Sequence, residues 1–124
     1  MKLQLAYKVA GEDRAKLFDF LGRVVRTLEL CGHEVYCPIL DSENDCIGDT
    51  LDHLKHQNAL MVIARREELS EGMLLEAGAT YGMRKRLILA VKEGLGYKHT
   101  RSLANTTIEF RDDSDLIAKL RDLK

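Results

Sequence analysis

The residue best placed to do chemistry in this chain is Glu76, in the middle of the stretch Ser70-Glu-Gly-Met-Leu-Leu-Glu-Ala-Gly-Ala-Thr-Tyr-Gly-Met83. It is a single acid among small and apolar neighbours. A carboxylate held in such a place can attack an anomeric carbon and carry the sugar covalently, as in retaining glycoside chemistry. Six residues earlier, Ser70 opens the helix. Its hydroxyl and the amides of Gly72 and Met73 suit an anion at a positive helix terminus. Gly72 lets backbone come close to a ligand. Lys8, Arg65 and Arg66 can add positive charge around the same mouth. Each of these also fits a plain structural role: Ser70 as a helix cap, Glu76 as a solvated helix acid, the basic residues as solvated strand ends.

The elements around this stretch must position it. The apolar run Asn58 to Ala64 reads as a strand buried on both faces, and Leu87 to Val91 reads as the next one. The segment between them is then a helix whose first turn points to one end of the sheet. In it, the small residues Gly78 and Ala79 predict close approach to the sheet. Lys2 to Val9 alternates Leu3, Leu5 and Tyr7 with Lys2, Gln4 and Lys8, a first strand. Asp13 predicts the cap of a helix whose apolar positions are Leu17, Phe18, Leu21, Val24, Val25, Leu28 and Cys31, and Gly32 closes it. Glu34 to Cys37 reads as a short strand stopped by Pro38. Residues 41 to 49 read as a loop, and a weakly amphipathic helix follows from about Asp49 to Gln57. A loop with one helical turn spans Gly94 to Asn105, and Thr106 to Phe110 reads as a fifth strand. Asp113 or Ser114 predicts the cap of a last helix with Leu116, Ile117, Leu120 and Leu123 inward.

Five strands alternating with helices predict right-handed crossovers and a three-layer, doubly wound parallel sheet of α/β class. The economical strand order is flavodoxin-like, 2-1-3-4-5, with a switch point between strands one and three. Ligands of such sheets bind at the carboxyl ends of the strands there. The fold therefore nominates residues 7 to 11, residues 65 to 69 and the turn beginning at Ser70.

Composition narrows the partners. At 124 residues the chain reads as one domain, 1–124. Nineteen Lys and Arg against 20 Asp and Glu, net charge -1, lack the basic excess of a nucleic-acid surface. No apolar run reaches the length of a membrane span, and the N-terminus does not read as a signal peptide, so a cytoplasmic location is expected. Cys31, Cys37 and Cys46 have no C-x-x-C spacing and read as reduced thiols. His53 and His56 share a helix face and read as surface residues. No metal site or cofactor is expected: G-x-x-x-x-G-K-[ST], a G-x-G-x-x-G after the first strand and G-x-S-x-G are all missing. The third strand runs into Ala64, Arg65 and Arg66, without the aspartate of a response regulator.

Taken together, Lys-Leu-Gln-Leu-Ala at the start, Leu30-Cys-Gly-His-Glu-Val-Tyr-Cys-Pro38 and above all Ser70-x-Gly72-x-x-x-Glu76-Ala-Gly-Ala79 resemble the nucleoside 2-deoxyribosyltransferase family. That family includes N-glycosidases of 2'-deoxynucleoside 5'-monophosphates. The resemblance implies that Glu76 attacks the anomeric carbon of a deoxyribose in a small-molecule nucleoside or nucleotide. It implies that Asp49 or Asp52, or more weakly His53, assists the departing base. It sets Gln4, Tyr7, Lys8, Arg65, Ser70, Gly72 and Met73 around the substrate. A serine at position 70, rather than aspartate, sides with the monophosphate hydrolases, and Lys8 with Arg65 would suit a phosphate. The resemblance also implies a homodimer or higher homo-oligomer, with Ser102 and Asn105 as candidates for closing a neighbour's site. The chain departs from the family's pattern at Gln4 (often tyrosine), Tyr7 (glycine), Lys8 (serine in the hydrolases) and Asn58 (often aspartate). Those departures keep a second expectation open, a non-catalytic nucleotide-binding or sensing module on the same fold. A third is an interaction domain that binds no small molecule.

Overall fold

The computed structural model describes residues 1–41, 47–68 and 70–124. Five strands form one all-parallel sheet in the order β2-β1-β3-β4-β5. They are β1 (Lys2–Ala6), β2 (Glu34–Tyr36), β3 (Ala59–Ala64), β4 (Arg86–Lys92) and β5 (Thr106–Phe110). Among the described residues six helices flank them: α1 (Arg14–Leu30), α2 (Pro38–Asp41), α3 (Ile47–Leu54), α4 (Glu71–Gly82), α5 (Lys98–Leu103) and α6 (Asp113–Leu120).

Parallel pairing needs a crossover after every strand, and each crossover helix lies on one face. One face packs Leu3, Leu5, Met61, Ile63 and Ile88 against α1 and α6. The other packs Leu60, Val62, Leu87 and Leu89 against α3, α4 and α5. All six residues of β3 are buried, as the unbroken apolar run requires.

The local signals resolve as follows. Asp13 caps α1 by accepting the Lys16 amide at 3.1 Å, and Gly32 takes the left-handed conformation, φ 92°, that ends it. Pro38 stops β2 and opens α2, because a helix's first residue has no use for its missing N–H. Of the predicted loop 41 to 49, residues 42–46 lie outside the described part, while Ile47 to Asp49 are already helical. Three further expectations change. The cap of α6 is Asp112, which accepts the Asp115 amide at 2.8 Å, rather than Asp113 or Ser114. In α1, Phe20 is buried in the core and Cys31 is exposed. In α4 the close approach to the sheet is made by Met73, Ala77 and Thr80, while Gly78 faces outward with open space beyond it.

Candidate active site

The site is assembled from the carboxyl end of β1, from α2 and α3 after β2, and from the start of α4. Ser70 has extended backbone, and its Oγ accepts the Met73 amide at 3.2 Å. Helical spacing then sends Met73, Glu76, Ala77 and Thr80 to one side, against the sheet. Glu76 is consequently only 7 % exposed. It lines a cavity of about 230 Å³ beside the strand switch point. Leu5, Ala6, Val9, Pro38, Ile47 and Met73 supply the apolar wall. Tyr7, Thr50, Ser70, Gly72 and Glu76 supply the polar part. A Cβ on Gly72 would stand 3.7 Å from Ile47 Cδ1, so any larger side chain there would narrow the hollow.

A buried carboxylate is costly unless it is hydrogen-bonded. Gln4, itself fully buried on β1, donates from one Nε2 to Glu76 Oε2 and to the Thr50 carbonyl, both at 3.2 Å. Those two acceptors orient the amide, and Gln4 Oε1 is left without a partner among the described residues. Gln4 thus holds Glu76 from behind, on the sheet side. The alternation of β1 read it as a polar strand position, yet α3 and α4 cover that face as well.

Tyr7 is held too: its hydroxyl accepts the Ile39 amide at 2.7 Å and lies 3.6 Å from the Cys37 thiol. Burial raises the Cys37 pKa from its usual 9.0 to about 11. Tyr36 pairs with Gln4 in the β1–β2 register and stacks on His53 at 3.6 Å between ring centroids. His53 also bonds Gln57, so this half-buried surface residue packs against its neighbours. Burial first, then the charges of Asp41, Asp49, Cys37 and Glu76, raise the Tyr36 pKa. The fields of Asp49 and Glu76 therefore reach the same hydroxyl.

Several nominated residues stand elsewhere. Arg65 turns to the opposite face of the sheet, where it pairs with Glu12 at 3.3 Å and Asp113 at 2.9 Å, over the Phe20 ring. Two carboxylates and a ring face attract it more than the apolar cavity does. Lys8 reaches Glu68 at 3.4 Å, outside the cavity wall. Asp52 is exposed and pairs with Lys55. Asn105 lies at the amino end of the sheet, where its side chain accepts the Leu87 amide at 2.8 Å, and Ser102 donates to the His99 carbonyl. Neither meets the cavity of its own chain. Pro38, Ile47 and Thr50 were not foreseen as cavity walls. The only sequence signal for them is the Pro-stopped strand followed by a helix, which brings that crossover back over the switch point. Among the described residues no cluster of side chains could hold a metal ion. No helix among them is long and apolar enough to cross a membrane.

Fold and site together define a doubly wound α/β protein of flavodoxin-like strand order, with a carboxylate-bearing cavity at its switch point. No protein-family model matches the chain, and no curated protein matches it. Among solved structures it is similar to the CMP N-glycosidase BcmB of Clostridium botulinum, at 19% identity, 97% of each chain and TM-score 0.74. It is also similar to a conserved protein of Enterococcus faecalis, at 11% identity, 97% of this chain, 96% of that one and TM-score 0.70. A third is a 2-deoxyribosyltransferase of Bacillus psychrosaccharolyticus, at 22% identity, the same coverages and TM-score 0.66. At such identities the likeness establishes the fold, over nearly the whole chain. The first and third of these proteins have the chemistry of the family that the sequence resembles in their names.

Proposed function

We propose that the protein cleaves or exchanges the N-glycosidic bond of a nucleoside or its 5'-monophosphate through Glu76. The observation that carries this reading is a glutamate 7 % exposed, lining a cavity at the switch point and hydrogen-bonded from behind by a buried glutamine. The resemblance in sequence and the likeness to an N-glycosidase and a deoxyribosyltransferase support it. Glu76 Oε attacks the anomeric carbon as the carbon–nitrogen bond breaks. The base leaves with the bonding electrons and takes a proton from Asp49 or from water. A water or a second base then attacks the same carbon, expels the carboxylate and gives up its proton. Asp49 and Asp52 are both exposed, but Asp49 directly precedes the cavity-lining Thr50 and Asp52 is paired to Lys55, so Asp49 suits the proton role better. Acid–base assistance of that kind is typically about 10²–10⁴-fold. Incubation with deoxynucleosides and their monophosphates should release free base, and Glu76→Ala should not. Equal release by Glu76→Ala would refute the role of Glu76.

A second reading rests on Tyr7, whose ring lines the cavity where the resembled family has glycine. It is a binding module without turnover, and intact ligand recovered after long incubation with tight calorimetric binding would favour it.

A homodimer or higher homo-oligomer belongs to the same proposal. Its support is the outward face of α4, where Leu74, Leu75 and Tyr81 are 52%, 48% and 60% exposed around Gly78. An antiparallel pairing of two such helices about a two-fold axis is self-complementary. Light scattering should give at least a dimer, and Leu75→Glu should reduce it to the monomer.

A further inference from the structure

We infer that the cavity takes a neutral nucleoside and disfavours its 5'-monophosphate; this rests on the N-glycosidic reading above. A phosphate dianion needs cations or free backbone amides. Among the described residues no lysine, arginine or histidine lines the cavity. The three basic residues that follow β1 and β3 are each turned to a carboxylate: Lys8 to Glu68, Arg65 to Glu12 and Asp113, Arg66 to Glu12. The undescribed positions 42–46 and 69 read Ser-Glu-Asn-Asp-Cys and Leu, and so bring no cation either.

The start of α4 offers an anion fewer amides than its sequence suggests, and acids surround it. Its Met73 amide is given to Ser70 Oγ and its Leu74 amide to the Ser70 carbonyl, both at 3.2 Å. Glu71 stands in its first turn, and Glu67 and Glu68 precede it. Those two glutamates also reach Tyr97, whose pKa is raised by burial first and then by their charges. Behind the other wall, formed by Pro38, Ile47 and Thr50, Asp41 and Asp49 add negative charge, and the sequence has no lysine or arginine from Pro38 to Leu54. Net negative potential around a site repels an anion. The same potential favours the positive charge that develops on the sugar ring in an oxocarbenium-like transition state. One field therefore serves the reaction and selects the substrate.

The test compares a panel of 2'-deoxynucleosides with their 5'-monophosphates, reading free base by chromatography at low salt. Nucleosides are expected to exceed monophosphates by about tenfold or more in kcat/KM, a gap that narrows as added salt screens the field. Glu71→Lys should lower KM for the monophosphates and leave the nucleosides unchanged. Equal or better use of the monophosphates by the wild type overturns the inference while leaving the N-glycosidic reading intact. Should neither class release base, that reading fails. Calorimetry with the same ligands then decides the substrate class: tighter binding of nucleosides keeps it, and tighter monophosphate binding, or none of either, overturns it.

Discussion

Two hollows open along the carboxyl edge of one sheet, and they differ in almost every physical respect. The hollow near Glu76, about 230 Å³, has apolar walls and a single buried carboxylate held by Gln4. The one on the α1–α6 face, about 570 Å³, is lined by Glu12, Arg65, Arg66, Lys92, Asp112 and Asp113. There Glu12 pairs with both Arg65 and Arg66, and Asp113 pairs with Arg65. Mutually satisfied ions contribute to folding or to nothing; a carboxylate in an apolar hollow is what the proposed reaction requires. On the proposed function, the same edge divides into a structural half and a chemical half. The division depends on where Arg65 points.

Paired substitutions break this comparison most directly. Glu76→Ala should abolish base release, on the order of 10³-fold or more, while leaving the fold as stable as before or more so. Arg65→Ala should do the reverse. Its guanidinium is a quarter exposed, so its loss should cost about 1–3 kcal/mol, between the exposed and the buried case. Base release per folded molecule should hardly change. Loss of activity with Arg65→Ala at full stability would move the arginine into the chemical half. Urea titrations beside the activity assay separate the two outcomes.

Gln4→Leu sharpens the comparison with a smaller effect. It removes the donor behind Glu76 and leaves that buried acceptor short of a bond, a cost of about 1–3 kcal/mol. Activity should fall through kcat more than KM, because the carboxylate loses its orientation while the cavity wall stays. A fall in KM-dependent binding alone would place Gln4 against substrate.

The two halves should also answer pH at opposite ends, with the smallest effects of the set. Beneath Tyr7, the Cys37 thiol is raised to about 11 by burial. A raised folded pKa means stability that is full below about pH 9 and lost as pH climbs toward 11. Alkylation mapped by mass spectrometry should find Cys31 modified well before Cys37 at pH 8. On the ionic side, the backbone amide of Arg111 first, and then Lys119, hold the Asp115 carboxyl below its usual range. That contribution is full above the ordinary carboxylate range and fades as pH falls through the folded value. Asp115→Asn should lower the urea midpoint at neutral pH and flatten its acid limb, so that variant and wild type converge as the pH falls.

Much of the fold was legible because its signals are local. The unbroken apolar run of β3, Asp13 before α1, Gly32 after it and Ser70 before α4 each act within a turn or a strand. Alternation of the elements then limits the topology, since parallel strands need crossovers and crossovers have one hand. The details that failed were also local competitions: Asp112 won the α6 cap from its two neighbours, and Ala77 rather than Gly78 met the sheet because the helix phase is set by packing.

What the chain's order alone determined is a carboxylate at helical position 76, opening toward the switch point of a parallel sheet. Only the tertiary structure decided which charges keep it company. Lys8, Arg65 and Arg66 are close to it in sequence logic, but each is captured by a carboxylate from a distant element, at positions 68, 12 and 113. Coulomb attraction acts through space and ignores chain order. The partner of a long, flexible cation is therefore settled only when the layers have packed.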